Sequence, residues 1–352
     1  MQKLKNGKFC DTVNQRVRIQ PAPCQFGKRG VLMIFLSNGH SFEYMVASGA
    51  LGFDGHGWFW EKPLVRLGFI KPELFTIVIR TLTKEPRLYP KSNLSWIRPW
   101  TWLPWSPWSC TRLIPGGSVN KVGLWNPGID WWRQKIGPKL DFQKFSLVGS
   151  IFGDERELIE MAKMLNPFDL CGIEVNPSCP NTGHAMQATN AVINDIKAVK
   201  SVSRHPIIVK VSVDQDYLGI ASGLAGVAEA ISLNSVPWKT VFPSGERTPL
   251  WRLEKKVGGG GGGVSGKQAK KHNWAAVQAL AQQGLVPVIG PSVMEFEDLA
   301  HVRALGARAV SFGAIHLPSH PFWLKPWTLL TNPCKPTLFV RKEHRIYEHR
   351  TH

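Results

Sequence analysis

The residues best suited to chemistry in this chain of 352 residues lie in one stretch, Glu174-Val-Asn-Pro-Ser-Cys-Pro-Asn-Thr-Gly183. A thiol, Cys179, stands there between two carboxamides, Asn176 and Asn181. Two prolines fix φ within the stretch and remove two backbone donors, so the loop is stiff. A stiff loop that presents a thiol between two amides suits a planar substrate with hydrogen-bonding groups. A proline-rich turn around a structural cysteine is the competing interpretation, because free cysteine is commonly part of a protein core.

The elements around this stretch predict how it is positioned. The apolar run at 171–175 is typical of a buried parallel strand, and it ends where the polar cluster begins. Strands and helices alternate in this part of the chain, the pattern of β/α units. We predict strands at 44–52, 75–79, 146–151, 206–211, 230–235, 286–290 and 309–313, and helices at 155–165, 189–202 and 295–305. In a β/α barrel the carboxyl ends of the strands carry the catalytic residues, so the cluster is placed for catalysis.

The same stretch resembles the signature Asn-x-Ser-Cys-Pro-Asn of the dihydroorotate dehydrogenases, which are FMN-dependent β/α-barrel enzymes. Further matches follow the family's order between Tyr44 and Ile315. The resemblance implies a single-domain (β/α)8 TIM barrel with loop insertions that oxidises dihydroorotate to orotate in de novo pyrimidine (UMP) biosynthesis. It also implies that Cys179 is the catalytic base, as in the soluble class of the family, and that a hydride passes to FMN.

The resemblance implies a substrate site as well. Side-chain amides both donate and accept hydrogen bonds, which matches a ring bearing carbonyl and N–H groups. Asn181 also separates this chain from the related dihydropyrimidine dehydrogenases, whose motif carries a histidine after Cys-Pro. The substrate-binding residues implied in this way are Asn120, Val122, Gly123, Leu124, Asn176, Asn181, Asn234 and Ser235.

A flavin site is implied at several strand ends. The small residues Ala47-Ser48-Gly49 would let a flat ring approach the backbone closely. Lys210 lies within an apolar run, where a lysine is rarely left unpaired, and the resemblance places it at the flavin ring. The cofactor-binding residues implied are Ala47, Ser48, Gly49, Arg80, Thr81, Ser150, Asn176, Lys210, Asn234, Gly262, Gly263, Gly290, Ser292, Gly313 and Ala314.

Four places depart from the family pattern, and at one of them Ala314 follows Gly313 where the family has a threonine. Arg80 stands where the family has a lysine, and its side chain is wider and planar. Pro291-Ser292 replaces a Gly-Gly pair before a predicted helix, which removes one amide donor from the expected phosphate site. The glycine run 258–263 is longer than the family's, and by composition alone it predicts a flexible linker. A non-catalytic or weakly flavin-binding barrel, whose basic surface serves binding, is therefore the alternative function.

The composition limits the partners. The 43 basic and 25 acidic residues give a formal charge of +18, which attracts polyanions in general. No helix-turn-helix, zinc-finger or RNA-binding signature accompanies this charge, so no specific nucleic-acid binding is expected. The six cysteines show no C-x-x-C spacing, which indicates neither a zinc site nor an iron–sulfur cluster and favours a cytoplasmic setting. The early apolar run 31–36 is far shorter than the roughly 20 residues that span a bilayer.

Around a barrel at 41–317 we expect a basic N-terminal extension at 1–40 and a basic C-terminal tail at 318–352. The tryptophan-rich stretch 94–108 contains prolines that prevent a regular helix. A subunit contact in a homodimer is the favoured interpretation, since aromatic residues are enriched in interfaces. A lid or a membrane-surface patch are the alternatives, although no membrane contact is predicted. Relatives pass electrons to quinone, to fumarate, or to NAD through an electron-transfer partner subunit, and the sequence leaves these acceptors open.

Overall fold

The computed structural model describes residues 32–87, 110–178, 188–257 and 260–316, together with residue 333. The tryptophan-rich stretch, most of the predicted tail and the segment from Cys179 to Asn181 lie outside the described residues. The described strands are, in chain order, β1 (Ile34–Phe35), β2 (Ser41–Phe42), β3 (Tyr44–Val46), β4 (Thr76–Val78), β5 (Thr111–Ile114), β6 (Gly117–Asn120), β7 (Ser146–Ile151), β8 (Gly172–Val175), β9 (Ile207–Val211), β10 (Ala230–Leu233), β11 (Val236–Pro237), β12 (Gly263–Gly266), β13 (Ile289–Gly290) and β14 (Ala309–Phe312). The α-helices are α1 (Lys62–Arg66), α2 (Ile129–Trp131), α3 (Glu155–Leu165), α4 (Thr189–Val202), α5 (Tyr217–Gly223), α6 (Trp238–Val241), α7 (Trp251–Val257), α8 (Lys270–Gln283) and α9 (Phe296–Ala304).

Eight of the strands form one parallel sheet that closes into a barrel. Their order is β10-β9-β8-β7-β4-β3-β14-β13, and an isolated parallel bridge between Ile231 and Val288 joins the two ends. Parallel neighbours need a long crossover, and helices such as α3, α4 and α9 supply it between consecutive barrel strands. The predicted (β/α)8 TIM barrel is thereby confirmed.

The interior of the barrel changes character along the strands. Alternate residues of a strand face the same side, and the lower inward positions are apolar. Met45, Val148, Ile208, Ala230 and Ala309 pack there in one buried cluster. Further along the strands the buried residues Ser150, Glu174, Lys210, Ser232 and Ser311 are polar. The barrel therefore has an apolar floor beneath a polar layer at the carboxyl ends of its strands.

A short hairpin closes this floor. β1 and β2 pair antiparallel, and Ile34, Leu36 and Phe42 belong to the same buried cluster as the floor residues. The predicted boundary between an extension at 1–40 and a barrel at 41–317 therefore falls inside the hairpin. The hairpin belongs to the barrel because the early apolar run, which contains Ile34 and Leu36, packs against the amino end of the barrel.

A second, antiparallel sheet lies beside the barrel, with the order β11-β12-β6-β5. Within it β12 pairs with β6 at such close range that a Cβ on Gly117 would collide with the carbonyl oxygen of Ser265. Gly266 has φ of 102°, a conformation that favours glycine. Of the described part of the glycine run, Gly263 begins β12, and residues 260–262 lead into that strand.

Within the described ranges no helix is both long enough and apolar enough to cross a membrane. The same ranges hold no group of three or more His, Cys, Asp or Glu side chains placed to bind a metal ion.

Candidate functional site

A cavity of about 230 Å³ lies at the carboxyl ends of the barrel strands. It collects most of the residues that the sequence predicted for substrate and cofactor. The predicted residues that line it are Ala47, Ser48, Gly49, Arg80, Thr81, Asn120, Val122, Gly123, Leu124, Asn176, Lys210, Asn234, Ser235, Ser292, Gly313 and Ala314. Residues far apart in the chain meet here because a parallel barrel brings the carboxyl ends of its strands together.

Some predicted residues lie elsewhere. Among the described ones, Ser150, Gly262, Gly263 and Gly290 are not part of the cavity lining. Ser150 is buried in the polar layer below it. Gly290 faces the opposite way, since a Cβ added there would meet Val302 and Ala307. Cys179 and Asn181 lie outside the described residues, so their part in the site stays a prediction.

The cavity also has lining residues that the predicted sets of substrate and cofactor residues do not include. They are Ala50, Thr111, Leu233, Ser265, Gly266, Asn273, Pro291 and Ser311. Thr111, Ser265 and Gly266 come from the antiparallel sheet, and Asn273 comes from α8, neither of which was predicted. The pair Ser265-Gly266 after the glycine run was the available signal for the sheet residues. Asn273 carried no comparable signal.

A chain of buried polar groups crosses neighbouring strands under the cavity. The hydroxyls of Thr81 and Ser150 lie 2.9 Å apart. Ser150 and Ser232 both donate to the Glu174 carboxylate, at 3.2 and 2.9 Å. The Lys210 ammonium ends the chain as an ion pair, with Nζ 3.5 Å from Oε1 of Glu174. Because Glu174 is only 1% exposed, these partners compensate for the loss of water around its charge.

The amides of Asn176 and Asn234 meet at the ends of β8 and β10. Nδ2 of Asn234 lies 3.4 Å from Oδ1 of Asn176 and donates to the Ser178 carbonyl at 3.1 Å. The Ser178 hydroxyl donates to the Lys210 carbonyl at 2.8 Å. Ser178 is the last described residue before Cys179. The chain that leads into the predicted base is therefore anchored to β9 and to the end of β10.

Arg80 is held at the cavity wall by aromatic rings. Its Nε donates to the Trp125 carbonyl at 2.8 Å. The guanidinium carbon lies 5.9 and 5.7 Å from the ring centroids of Phe53 and Trp58, contacts that suit a planar cation. Burial raises the pKa of the Cys110 thiol, and the positive charge of Arg80 opposes that rise. The wall thus carries a fixed positive charge in the place of the family's lysine.

The loop between β13 and α9 is held by helix α8. Asn273 Nδ2 donates to Ser292 Oγ at 3.0 Å, and Trp274 Nε1 donates to the Pro291 carbonyl at 3.0 Å. Ser292 has φ of 65°, a left-handed conformation that usually falls to glycine. A serine therefore adopts a glycine-like conformation here, and contacts from α8 stabilise it.

Comparisons with known proteins place the chain among related sequences. The family model described as dihydroorotate dehydrogenase matches residues 110–325, more than half of the chain. The catalytic subunit of dihydroorotate dehydrogenase B (NAD(+)) from Thermoanaerobacter pseudethanolicus is 28% identical over 277 residues, which cover 76% of this chain and 82% of that protein. The corresponding subunits of Methanocaldococcus jannaschii and Alkaliphilus metalliredigens are each 31% identical, over 57% and 60% of this chain and 67% and 71% of theirs. The predicted kinship with these oxidoreductases is confirmed, and the chain belongs to the dihydroorotate dehydrogenase family.

Proposed function

We propose that this protein oxidises dihydroorotate to orotate and uses FMN as its cofactor. One observation carries the proposal: Asn120, Asn176, Asn234 and Lys210 come from four separate segments and line one cavity. Their side chains supply donors and acceptors for a planar ring that bears carbonyl and N–H groups. The similarity to catalytic subunits of dihydroorotate dehydrogenase B supports the same reaction.

The cavity wall fits a flavin. Ala47, Ser48 and Gly49 present little side-chain volume at the end of β3, so a flat ring system can approach the backbone there. The Lys210 ammonium also faces the cavity, and its ion pair with Glu174 holds it in place. Together with Gly313 and Ala314, these residues would hold the cofactor. FMN, when bound, supplies a two-electron acceptor for the hydride that leaves the substrate.

The residues of the chain would divide the remaining work between orientation and proton removal. Asn176 and Asn234 would fix the substrate ring through paired hydrogen bonds. As the general base, Cys179 would remove the proton from the carbon next to the one that loses the hydride. A free thiol has a pKa of about 8.5, so activity near neutral pH needs a stabilised thiolate or proton removal coupled to hydride loss. Asn181, two residues after Cys179 in the motif, would form hydrogen bonds with the substrate ring.

Arg80 would recognise the carboxylate that distinguishes dihydroorotate from uracil-type substrates. A buried carboxylate needs a positive charge or hydrogen-bond donors nearby. Arg80 lines the cavity with its guanidinium held between Trp125, Phe53 and Trp58. This arrangement favours dihydroorotate over dihydrouracil.

The electrons would leave through an electron-transfer partner subunit. The relatives are named as catalytic subunits of an NAD(+)-linked enzyme, which supports a division of labour between a catalytic chain and a second chain. We infer a homodimer of the catalytic chain within such an assembly.

An anaerobic titration of the purified protein tests the proposal. Dihydroorotate should bleach the flavin absorbance, whereas dihydrouracil and dihydrothymine should leave it unchanged at the same concentration. Bleaching by dihydrouracil alone would contradict the substrate assignment. A colourless protein that rejects added FMN would favour the non-catalytic barrel instead.

A further inference from the structure

We propose that Trp58 is a positioning residue that holds the Arg80 guanidinium in the orientation needed to bind the carboxylate of the substrate. The inference rests on the proposed function and adds to it a residue outside the predicted sets. Three observations carry it: the aromatic contacts of Arg80, the hydrogen bond from Trp58 to the cavity wall, and the buried pair of Glu61 and His316 that is joined to Trp58.

The Arg80 side chain has to be held in one orientation to bind a carboxylate well. A guanidinium binds a carboxylate through two parallel hydrogen bonds in a fixed plane, whereas a lysine ammonium is a point charge without a preferred plane. An arginine side chain also has many rotamers, and ordering them costs free energy. The exchange of the family's lysine for Arg80 therefore creates a need for groups that fix the plane of the guanidinium.

Two aromatic rings and a carbonyl group meet this need. The guanidinium carbon lies 5.7 Å from the ring centroid of Trp58 and 5.9 Å from that of Phe53, and the two rings are inclined at 69° to each other. The Nε group donates to the Trp125 carbonyl at 2.8 Å. Cation–π contacts are stronger where the cation is removed from water, and Arg80 is buried. These contacts together restrict the rotation of the guanidinium about more than one axis.

Trp58 is itself fixed to the wall on which Arg80 lies. Its Nε1 donates to the Gly49 carbonyl at 2.8 Å. Gly49 lines the cavity, and a Cβ added there would lie 3.5 Å from Nη1 of Arg80. The Arg80 side chain therefore lies over Gly49. One indole thus contacts the guanidinium and also holds the backbone next to it.

A buried pair of side chains holds the backbone of Trp58. Glu61 Oε2 accepts from the Trp58 N–H at 3.0 Å, and Glu61 Oε1 lies 3.0 Å from His316 Nδ1. The side chains of Glu61 and His316 are each only 1% exposed. His316 ends the short 3₁₀ helix Ala314–His316, which follows the cavity residue Gly313. The pair thereby links Trp58 to the cavity wall at the end of β14.

Binding of orotate to the FMN-loaded protein tests the inference without any measurement of turnover. Isothermal titration gives the dissociation constant of orotate, and the flavin absorbance gives the FMN content. Trp58→Leu should weaken orotate roughly tenfold, because the guanidinium loses one of its two ring contacts. The FMN content should stay at the wild-type level. Trp58→Phe should retain most of the affinity for orotate, since it keeps an aromatic ring.

A double-mutant cycle shows whether Trp58 acts through Arg80. Arg80→Met removes the guanidinium and should weaken orotate by roughly 10- to 100-fold. In that background Trp58→Leu should change the dissociation constant by less than about twofold, because no guanidinium remains to be positioned. The same tenfold loss in both backgrounds would show a purely structural role for Trp58 and would overturn the inference.

Trp274→Leu is the matched control, since it makes the same substitution at a tryptophan that contacts the Pro291 side of the cavity. It should leave orotate binding unchanged. An equal loss in Trp274→Leu, or no loss in Trp58→Leu, would overturn the inference and leave the proposed function standing. If the wild-type protein binds no orotate, the proposed function and the inference fail together. If Trp58→Leu does not fold, Phe53→Leu, which removes the other ring, takes its place in the cycle.

Discussion

The two ends of the cavity follow the family pattern to different degrees. At the end that we assign to the substrate, Asn176 and Asn234 stand in the predicted places and contact each other. At the end where the resemblance implies the flavin phosphate, Pro291 and Ser292 replace glycines, and Asn273 enters from a helix that was not predicted. A substrate ring needs donors and acceptors at fixed positions, whereas a phosphate accepts hydrogen bonds from many directions. In an anion site, side-chain donors can therefore replace backbone donors. A site for a substrate ring tolerates the replacement of its hydrogen-bonding residues less readily.

The largest effect is expected from removing the proposed general base at the substrate end, a change that should not alter the phosphate end. Cys179→Ala should lower turnover of dihydroorotate by about 100- to 10,000-fold, the usual cost of removing a general base. FMN content should stay at the wild-type level, because the proposed cofactor contacts lie elsewhere. Stopped-flow flavin reduction and the absorbance spectrum measure the two quantities.

Cys179→Ser is the companion variant. It should retain part of the activity, since a hydroxyl can also accept the proton. Wild-type rates in the alanine variant would exclude Cys179 from proton removal.

The next effect concerns the charge pair under the substrate end. Glu174→Ala should destabilise the protein by about 3–5 kcal/mol, because it leaves the Lys210 ammonium buried without its partner. Chemical denaturation gives the free energy of unfolding. Ser232→Ala, which removes only one hydrogen bond to the same carboxylate, should cost about 1 kcal/mol.

A double variant sharpens this prediction. Lys210→Met in the Glu174→Gln background removes both charges, so it should be less destabilising than the sum of the two single changes. Strict additivity would show that the ion pair contributes nothing to folding.

A smaller effect is expected at the phosphate end. Pro291→Gly restores one backbone N–H and should tighten FMN by up to about tenfold. Isothermal titration of the apo-protein measures the affinity for FMN, and an unchanged affinity would contradict a phosphate site at this loop.

The smallest effect is a loss of stability in acid that involves neither end. Burial lowers the pKa of His205 from 6.5, so the folded state favours the neutral ring. The unfolded chain then binds more protons as the pH falls below 6.5, and stability declines. His205→Gln should flatten the dependence of the melting temperature on pH in this window. A variant with the wild-type slope would place the acid sensitivity elsewhere.

The local sequence was sufficient to predict the helices and strands whose sequence signals lie close together in the chain. α3 and α4 have the predicted bounds, and α3 begins with the capping box of Asp154 and Glu157. The short apolar runs gave the barrel strands because a buried parallel strand needs apolar residues on both faces. The motif around Asn176 identified the family for the same reason, since its residues are contiguous.

Tertiary structure decided what depends on partners far apart in the chain. The Glu174 carboxylate meets Lys210 and Ser232 only because β8, β9 and β10 are adjacent in the barrel. β12, which begins at the last glycine of the run, formed because β6 offered it an edge, and Asn273 reached the cavity because α8 packs beside the loop after β13. Propensity and periodicity act over a few residues, whereas these contacts follow from the order in which the strands close the barrel.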